Sequence, residues 1–291
     1  MIPLLYDCDN TLGIHDRDVD DGLALLYLIG RKDVDLLGTT TTFGNGSVDE
    51  VYNATKDLLG EQDIPLLKGA SSPENRQSDA ACFLVESAQK NPGDNIILAT
   101  GPLSNLYEAH RLDPDFFTRI KELVIMGGTT EPLVINGNEL AELNFSADPE
   151  ACYHVLSSGC STTVITGNLC LHALLTKDAF ESFAAHGGFS QSPGVRKAVF
   201  DWIRYNERLF SLRGFHIWDA VAALCVTDPY LFADKTCRIS SSEKDFQNGR
   251  LVLSKNGENL PENVYTLNIP DGIIDETLFW KVLFDGWAAI Q

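Results

Sequence analysis

The sequence predicts an α/β fold, an open and mostly parallel doubly wound sheet with helices on both faces and a small antiparallel part near the C-terminus. Three observations carry this. Short, unbroken apolar runs recur at residues 2–6, 34–40, 95–99, 122–126 and 162–166, as expected for strands buried on both faces of a parallel sheet. Segments with helical apolar spacing alternate with them, which implies βαβ units. The 291 residues, 44% hydrophobic and 22% charged, suffice for one large buried core. With no internal repeat and no low-complexity linker, we expect one domain over residues 1–291.

The first run, IPLLY, continues into Asp7 and Asp9. After the loop NTLGIHDRDV, Asp20 and Asp21 open the helix-like DDGLALLYLIG. Up to four carboxylates at one strand end repel each other unless a cation joins them or their pKa values rise. Hard oxygen donors favour calcium or magnesium. Taken alone, Asp20 and Asp21 fit equally well as helix-capping residues. With Asp7 and Asp9 adjoining, a metal site is the better account.

The second run, VDLLGTT, leads through TTTFGN to Asn45 and then to the helix-like VDEVYNATKDLL. Another such segment, DAACFLVESAQ, precedes the run NIILA. That run enters TGPLSN, where the backbone carbonyl of Thr100 is available to a hard cation. ELVIM ends at Met126, and the two glycines after it let backbone approach a ligand closely. The polar stretch NGNELAELNFSADPEA carries Asn136, Asn138, Glu139, Glu142 and Asn144. Such a set suits a sugar, or else a solvated loop. The helix-like ADPEACYHVLSSG and the run TTVIT follow. AVFDWIRYNERLFSL brings Trp202, Tyr205 and Phe210, candidates for a base pocket or for core. HIWDAVAAL puts Trp218 and Asp219 at a further helix start. Beyond residue 235, CRIS, GRLVLS and NVYTLNI read as strands, and DETLFWKVLFDGWAAI as a closing amphipathic helix. In open α/β sheets, ligands bind at the carboxyl ends of the strands, where these polar residues fall.

A formal net charge of -19 argues against nucleic acid or an anionic membrane as partner, since both need basic surface. Seven scattered cysteines without a C-x-x-C pair suit a reducing, cytoplasmic setting. The N-terminal MIPLLYDCDN lacks the basic start and long apolar core of a signal peptide. No apolar stretch is long enough to span a bilayer.

The order D-x-D, V-D-D, T-T-x-F-G-N, T-G-P-L-S-N, V-I-M-G-G, A-E-L-N-F-S-A-D-P-E-A and W-D-A-V-A resembles the inosine–uridine-preferring nucleoside hydrolases, from residue 7 to about 225. The resemblance implies a Rossmann-like sheet, a bound calcium ion, a small-molecule nucleoside substrate and a homodimer or homotetramer. It also implies a role for each matching residue. Asp9, Asp21, Asp219 and the carbonyl of Thr100 would hold the metal, with Asp7 supporting from behind. Asp9 would take a proton from the attacking water. Asp20, Asn45 and Asn144 would grip the sugar 2′- and 3′-hydroxyls. Glu142, Met126 and either Asn136 or Asn138 would face the 5′ end.

Two departures stand out. The family's tight D-x-D-P-G-x-D-D turn is replaced by a longer loop carrying Asp16 and Asp18, which we read as an exposed insertion. Trp218 stands where many members carry a histidine that protonates the leaving base, and SSPENRQSD stands where those members have a histidine-bearing loop. Trp218 resembles the purine-specific branch, and stacking on a purine is the catalytic role it implies. His216 is the alternative acid. Two rival functions fit parts of the chain. LLYDCDNTLGI matches the D-x-D-x-T-L opening of haloacid dehalogenase-like phosphatases, with Asp7 as nucleophile and Asp9 as acid/base. A non-catalytic nucleoside- or ribose-binding protein would keep the sugar grip alone.

Overall fold

The computed structural model describes residues 1–254 and 264–290. The chain opens with strand β1 (Ile2–Cys8), helix α1 (Asp20–Gly30), strand β2 (Val34–Thr41), helix α2 (Val48–Leu59) and strand β3 (Leu66–Lys68). Helix α3 (Asp79–Lys90), strand β4 (Ile96–Ala99), helix α4 (Ser104–Leu112) and strand β5 (Glu122–Met126) continue the alternation. A short hairpin, β6 (Leu133–Ile135) and β7 (Asn138–Leu140), interrupts it. Helix α5 (Pro149–Leu156), strand β8 (Thr162–Ile165) and the single turn α6 (Gly167–Cys170) follow. A second small antiparallel pair, β9 (Leu174–Thr176) and β10 (Gly214–His216), brackets α7 (Lys177–Ala185) and α8 (Pro193–Phe210). Helix α9 (Trp218–Thr227), strand β11 (Thr236–Ile239), the turn α10 (Glu243–Phe246), strand β12 (Tyr265–Asn268) and helix α11 (Glu276–Ala288) complete the chain.

Eight strands form one sheet in the order β11-β12-β8-β5-β4-β1-β2-β3. Every pairing is parallel except β11 with β12. The expected mostly parallel sheet and antiparallel edge are both present. GRLVLS is not a strand; it makes only isolated bridges from Arg250 to Thr129 and from Leu253 to Ile239. In NVYTLNI, Asn263 lies outside the described residues, and the strand begins at Tyr265.

Alternation along β1 explains how the sheet is covered. Leu4, Tyr6 and Cys8 face a core shared with α1, α8, α9 and α11. Leu5 faces the opposite core, with α3, α4 and α5. Side chains two apart share a face, so Asp7 points to the α4 side. Helix α1 is apolar around most of its circumference, with Asp20 through Leu28 all buried. It packs on α9 and α11, and the Trp287 indole donates to the Leu23 carbonyl at 2.9 Å. Sheet order reverses at β1: β2 lies on one side and β4 on the other. Such a switch point leaves a crevice at the carboxyl ends of the strands.

Candidate active site

A cavity of about 210 Å³ opens at those strand ends, lined in part by Asp18, Asp20, Asn45, Thr100, Asn144 and Trp218. Asp219 also lines it, and Asp9 and Asp21 lie beneath; all three are at most 3% exposed.

Three elements bring the carboxylates together. β1 delivers Asp9. Asp20 and Asp21 occupy the first turn of α1, and Asp219 the first turn of α9. The residues at the two cap positions are Val19 and Ile217, neither of which makes a side-chain cap. Asp20, Asp21 and Asp219 therefore sit inside their helices, so capping does not account for them. Helix N-termini favour negative charge there. The two helix starts are joined directly, because the Asp219 amide donates to Asp20 Oδ2 at 3.3 Å. Carboxylate oxygens of Asp20, Asp21 and Asp219 lie within 4.8 Å of one another.

Burial raises the pKa of Asp9, and neighbouring Asp21 raises it further. Asp20 and Asp219 are raised in the same way, first by burial and then by their acidic neighbours. Asp21 is pushed up to about 6, chiefly by burial. Among the described residues, no Lys, Arg or His forms an ion pair with any of the four. A buried anionic cluster of oxygen donors with no protein counter-charge has the chemistry that a hard divalent cation satisfies. The carbonyl of Thr100 adds a neutral donor at the end of β4, adjacent to β1 in the sheet.

The cluster is held by hydrogen bonds from three strand ends. Asn45 donates its amide to Asp9 Oδ2 at 2.7 Å and its side chain to Asp21 Oδ2 at 3.4 Å. This approach needs Gly44, whose φ is 154°. A Cβ there would lie 1.9 Å from Asp9 Oδ2. The Thr100 hydroxyl donates to Asp21 Oδ1 at 2.7 Å, and the Tyr6 phenol to the Asp21 carbonyl at 3.1 Å. Asp7 supports from the other face of β1. Its Oδ1 accepts from Thr40 and, at 2.7 Å, from Asn105. Burial pushes its carboxyl up to about 7, and Oδ2 has no partner among the described residues. Fully buried and held in this way, Asp7 has no access to a substrate, which removes the phosphatase reading.

On the far wall, the Asn144 amide donates to the carbonyls of Thr100 at 2.9 Å and Met126 at 3.0 Å. Glu142 lines the cavity, but its carboxylate folds back onto the amides of Phe145 and Ser146. Burial pushes it up to about 7 against those hydrogen bonds. Trp218 forms part of the wall beside Asp219, with the His216 ring 5.2 Å behind it. His216 is buried and its pKa falls to about 4, mainly through that burial. It is therefore neutral near pH 7 and does not line the cavity, so it is not positioned as the leaving-group acid.

Several expectations need correction. Asn136 and Asn138 do not reach the cavity. They flank the turn of the β6–β7 hairpin, where Asn136 and Gly137 have φ of 48° and 81°. Asn136 donates to the Phe210 carbonyl at 2.9 Å, and Asn138 to that of Ile135 at 3.3 Å. Asn-Gly is the sequence signature of such a turn, and it was there to be read. Glu139 is exposed on the same hairpin and lies outside the cavity. Trp202 and Tyr205 stack on each other with centroids 4.9 Å apart, and neither lines the cavity, nor does Phe210. In the insertion, Asp16 is exposed as expected, but Asp18 is half-buried and forms part of the cavity wall. Tyr6, Thr40 and Asn105 were missed, because an apolar-looking strand and a helix start gave no sign of which carboxylate they would meet.

Comparison with known proteins agrees with this architecture. The model of the family described as inosine-uridine preferring nucleoside hydrolase matches residues 4–281. Uridine nucleosidase 1 of Arabidopsis thaliana is 30% identical over 253 residues, covering 76% of this chain and 74% of that protein. A plant nucleoside hydrolase, PpNRh1, superposes with a TM-score of 0.86 at 20% identity, covering 99% of this chain and 100% of that one. A purine-preferring ribonucleoside hydrolase from Gardnerella vaginalis gives 0.81 at 23% identity, over 98% of both chains.

Proposed function

Because the chain belongs to the inosine-uridine preferring nucleoside hydrolase family, we propose that it is a cytoplasmic, calcium-dependent enzyme that hydrolyses the N-glycosidic bond of ribonucleosides, purines in preference. The single observation that carries the calcium assignment is the buried cluster of Asp20, Asp21 and Asp219 beside Asp9, to which no cationic side chain among the described residues is paired. Asp9, Asp21, Asp219 and the Thr100 carbonyl would hold the ion. When bound, calcium would order the sugar diol and make water more acidic.

The chain's own residues supply the rest. Cleavage builds positive charge on the ribose, as in glycoside hydrolysis generally. The cavity answers it with Asp18, Asp20 and Asp219 in its wall and Asp9 and Asp21 below. Asp9, oriented by the Asn45 amide, takes the proton from the attacking water. Asp20, Asn45 and Asn144 orient the sugar, so that binding at the hydroxyls positions the reacting carbon. Trp218 offers the base an aromatic wall, and no histidine among the described residues lines the cavity. A base that stacks well and leaves without a dedicated acid is better matched by a purine.

The relatives' names support a second reading, since uridine nucleosidase 1 is 30% identical to this chain. One assay separates the two. Purified protein is given inosine, adenosine, uridine and cytidine, free base is measured, and the protein is analysed for metal. Faster release from purines with one calcium per chain supports the proposal. Faster uridine cleavage overturns the purine preference, and a stoichiometric transition metal overturns calcium.

A further inference from the structure

We propose that Asp18 is a specificity-determining residue, which accepts a hydrogen bond from one hydroxyl of the ribose 2′,3′-diol; this rests on the ribonucleoside hydrolase function proposed above. The loop that carries Asp18 is built into the structure. Asn10 accepts from the Leu12 amide at 2.9 Å and donates to the Thr55 hydroxyl of α2 at 3.3 Å. Leu12 is buried. The Thr11 hydroxyl donates to the Asp18 carbonyl at 2.9 Å, closing the loop on itself. Arg17 donates to the backbone carbonyl of Asn45. The loop is thereby fastened to a residue that orients Asp9.

Near its end, Asp18 then enters the cavity wall beside Asp20 and Asn45. One carboxylate oxygen of Asp18 is committed to backbone, accepting from the amides of Val19 at 2.7 Å and Asp20 at 3.4 Å. A carboxylate has a second oxygen and further lone pairs. On this side it meets the carboxyl of Asp20. No cation of the described residues pairs with either. The two carboxyls share a hydrogen bond at the cavity wall, and a ligand hydroxyl placed beside Asp18 can supply that hydrogen in place of Asp20. The tight P-G turn of the family pattern has no side chain able to do this.

The test uses Asp18→Asn and Asp18→Ser. Both keep an oxygen able to hold the Val19 and Asp20 amides, and both remove the charged acceptor. Steady-state kinetics are measured with adenosine, 2′-deoxyadenosine, 3′-deoxyadenosine and 5′-deoxyadenosine, after thermal melting shows the variants folded. For adenosine, KM should rise about tenfold or more, with a smaller fall in kcat. The penalty should vanish for the one substrate, 2′-deoxy or 3′-deoxy, that lacks the hydroxyl Asp18 accepts. An equal penalty on all four substrates, or none on any, overturns the inference and leaves nucleoside hydrolysis standing. If the unmodified enzyme releases no base from adenosine, inosine or uridine, the nucleoside assignment itself fails and takes this inference with it.

Discussion

The floor of the cavity and its rim are built in opposite ways. The floor is Asp9, Asp20, Asp21 and Asp219, all nearly inaccessible and cross-linked by the ends of β1, β2 and β4. The rim is a hairpin of three-residue strands, with Val134 47% exposed, followed by Leu143, 43% exposed. Leu133 and Ile135 of the rim are buried, and most of the rest of the hairpin is exposed. Such segments open locally at little cost and tolerate change, while packed strand ends do not. The lesson is a division of labour. The carboxylates at the strand ends are fixed by packing, and so are Asp18 and Trp218 beside them, while the hairpin closes the cavity's edge without bringing its polar side chains in.

The strongest way to break that division is Asp9→Asn. Loss of the base should lower kcat by about a hundred- to ten-thousand-fold. In chelator-treated protein the melting temperature should hold or rise, because one charge leaves a self-repelling buried cluster. Turnover and melting curves check both. Near-normal turnover of Asp9→Asn, with Asp16→Asn inactive, would show that the reactive carboxylate lies in the loop.

A smaller effect is expected on the leaving-group side. Trp218→Ala should lower kcat/KM for inosine by about tenfold, the equivalent of losing roughly 1–3 kcal/mol of stacking. Uridine should be less affected. Equal losses on both would mean that Trp218 supports the wall without contacting the base.

The smallest effect on turnover is expected at His216, which touches Trp218 from behind and does not line the cavity. Its folded pKa of about 4 lies below the ordinary value. As pH falls below about 6.5, the unfolded chain binds this proton first. The stability contribution of neutral His216 is therefore complete above that pH and is lost progressively towards pH 4. The loss is on the order of 2–3 kcal/mol. His216→Phe should flatten the fall in unfolding free energy across this window and leave kcat/KM near that of the parent. An unchanged pH slope would contradict the burial argument.

The same division governed what could be read from sequence. Helices α1 and α2 begin and end where apolar spacing and flanking residues indicated. Asp9, Asp20, Asp21, Asn45, Thr100, Asn144 and Asp219 gather as strand-end logic required. What failed was local and short. The strands of the β6–β7 hairpin are too brief for periodicity to reveal, and its Asn-Gly turn passed for ligand-binding amides. The insertion looked polar and external, because the buried anchor Leu12 is one apolar residue among turn formers. The supporting contacts run from Asp7 of β1 to Thr40 and Asn105 and from Asp21 of α1 to Thr100, separations at which pattern carries no pairing information.

One side chain has a consequence for how a sugar is read. The Asn144 amide directs its donors to the carbonyls of Thr100 and Met126. Only its Oδ1 is left to face the cavity, beside the carboxyls of Asp18 and Asp20, whose oxygens outnumber the one hydrogen they share. On the proposed function, this part of the wall recognises polarity as well as shape, admitting a substituent that offers hydrogen. Fluorine or an O-methyl group at the same carbon keeps the electronegative atom but brings no proton. It would meet lone pairs with lone pairs, so sugars altered in this way are excluded by electrostatics even where they fit by size.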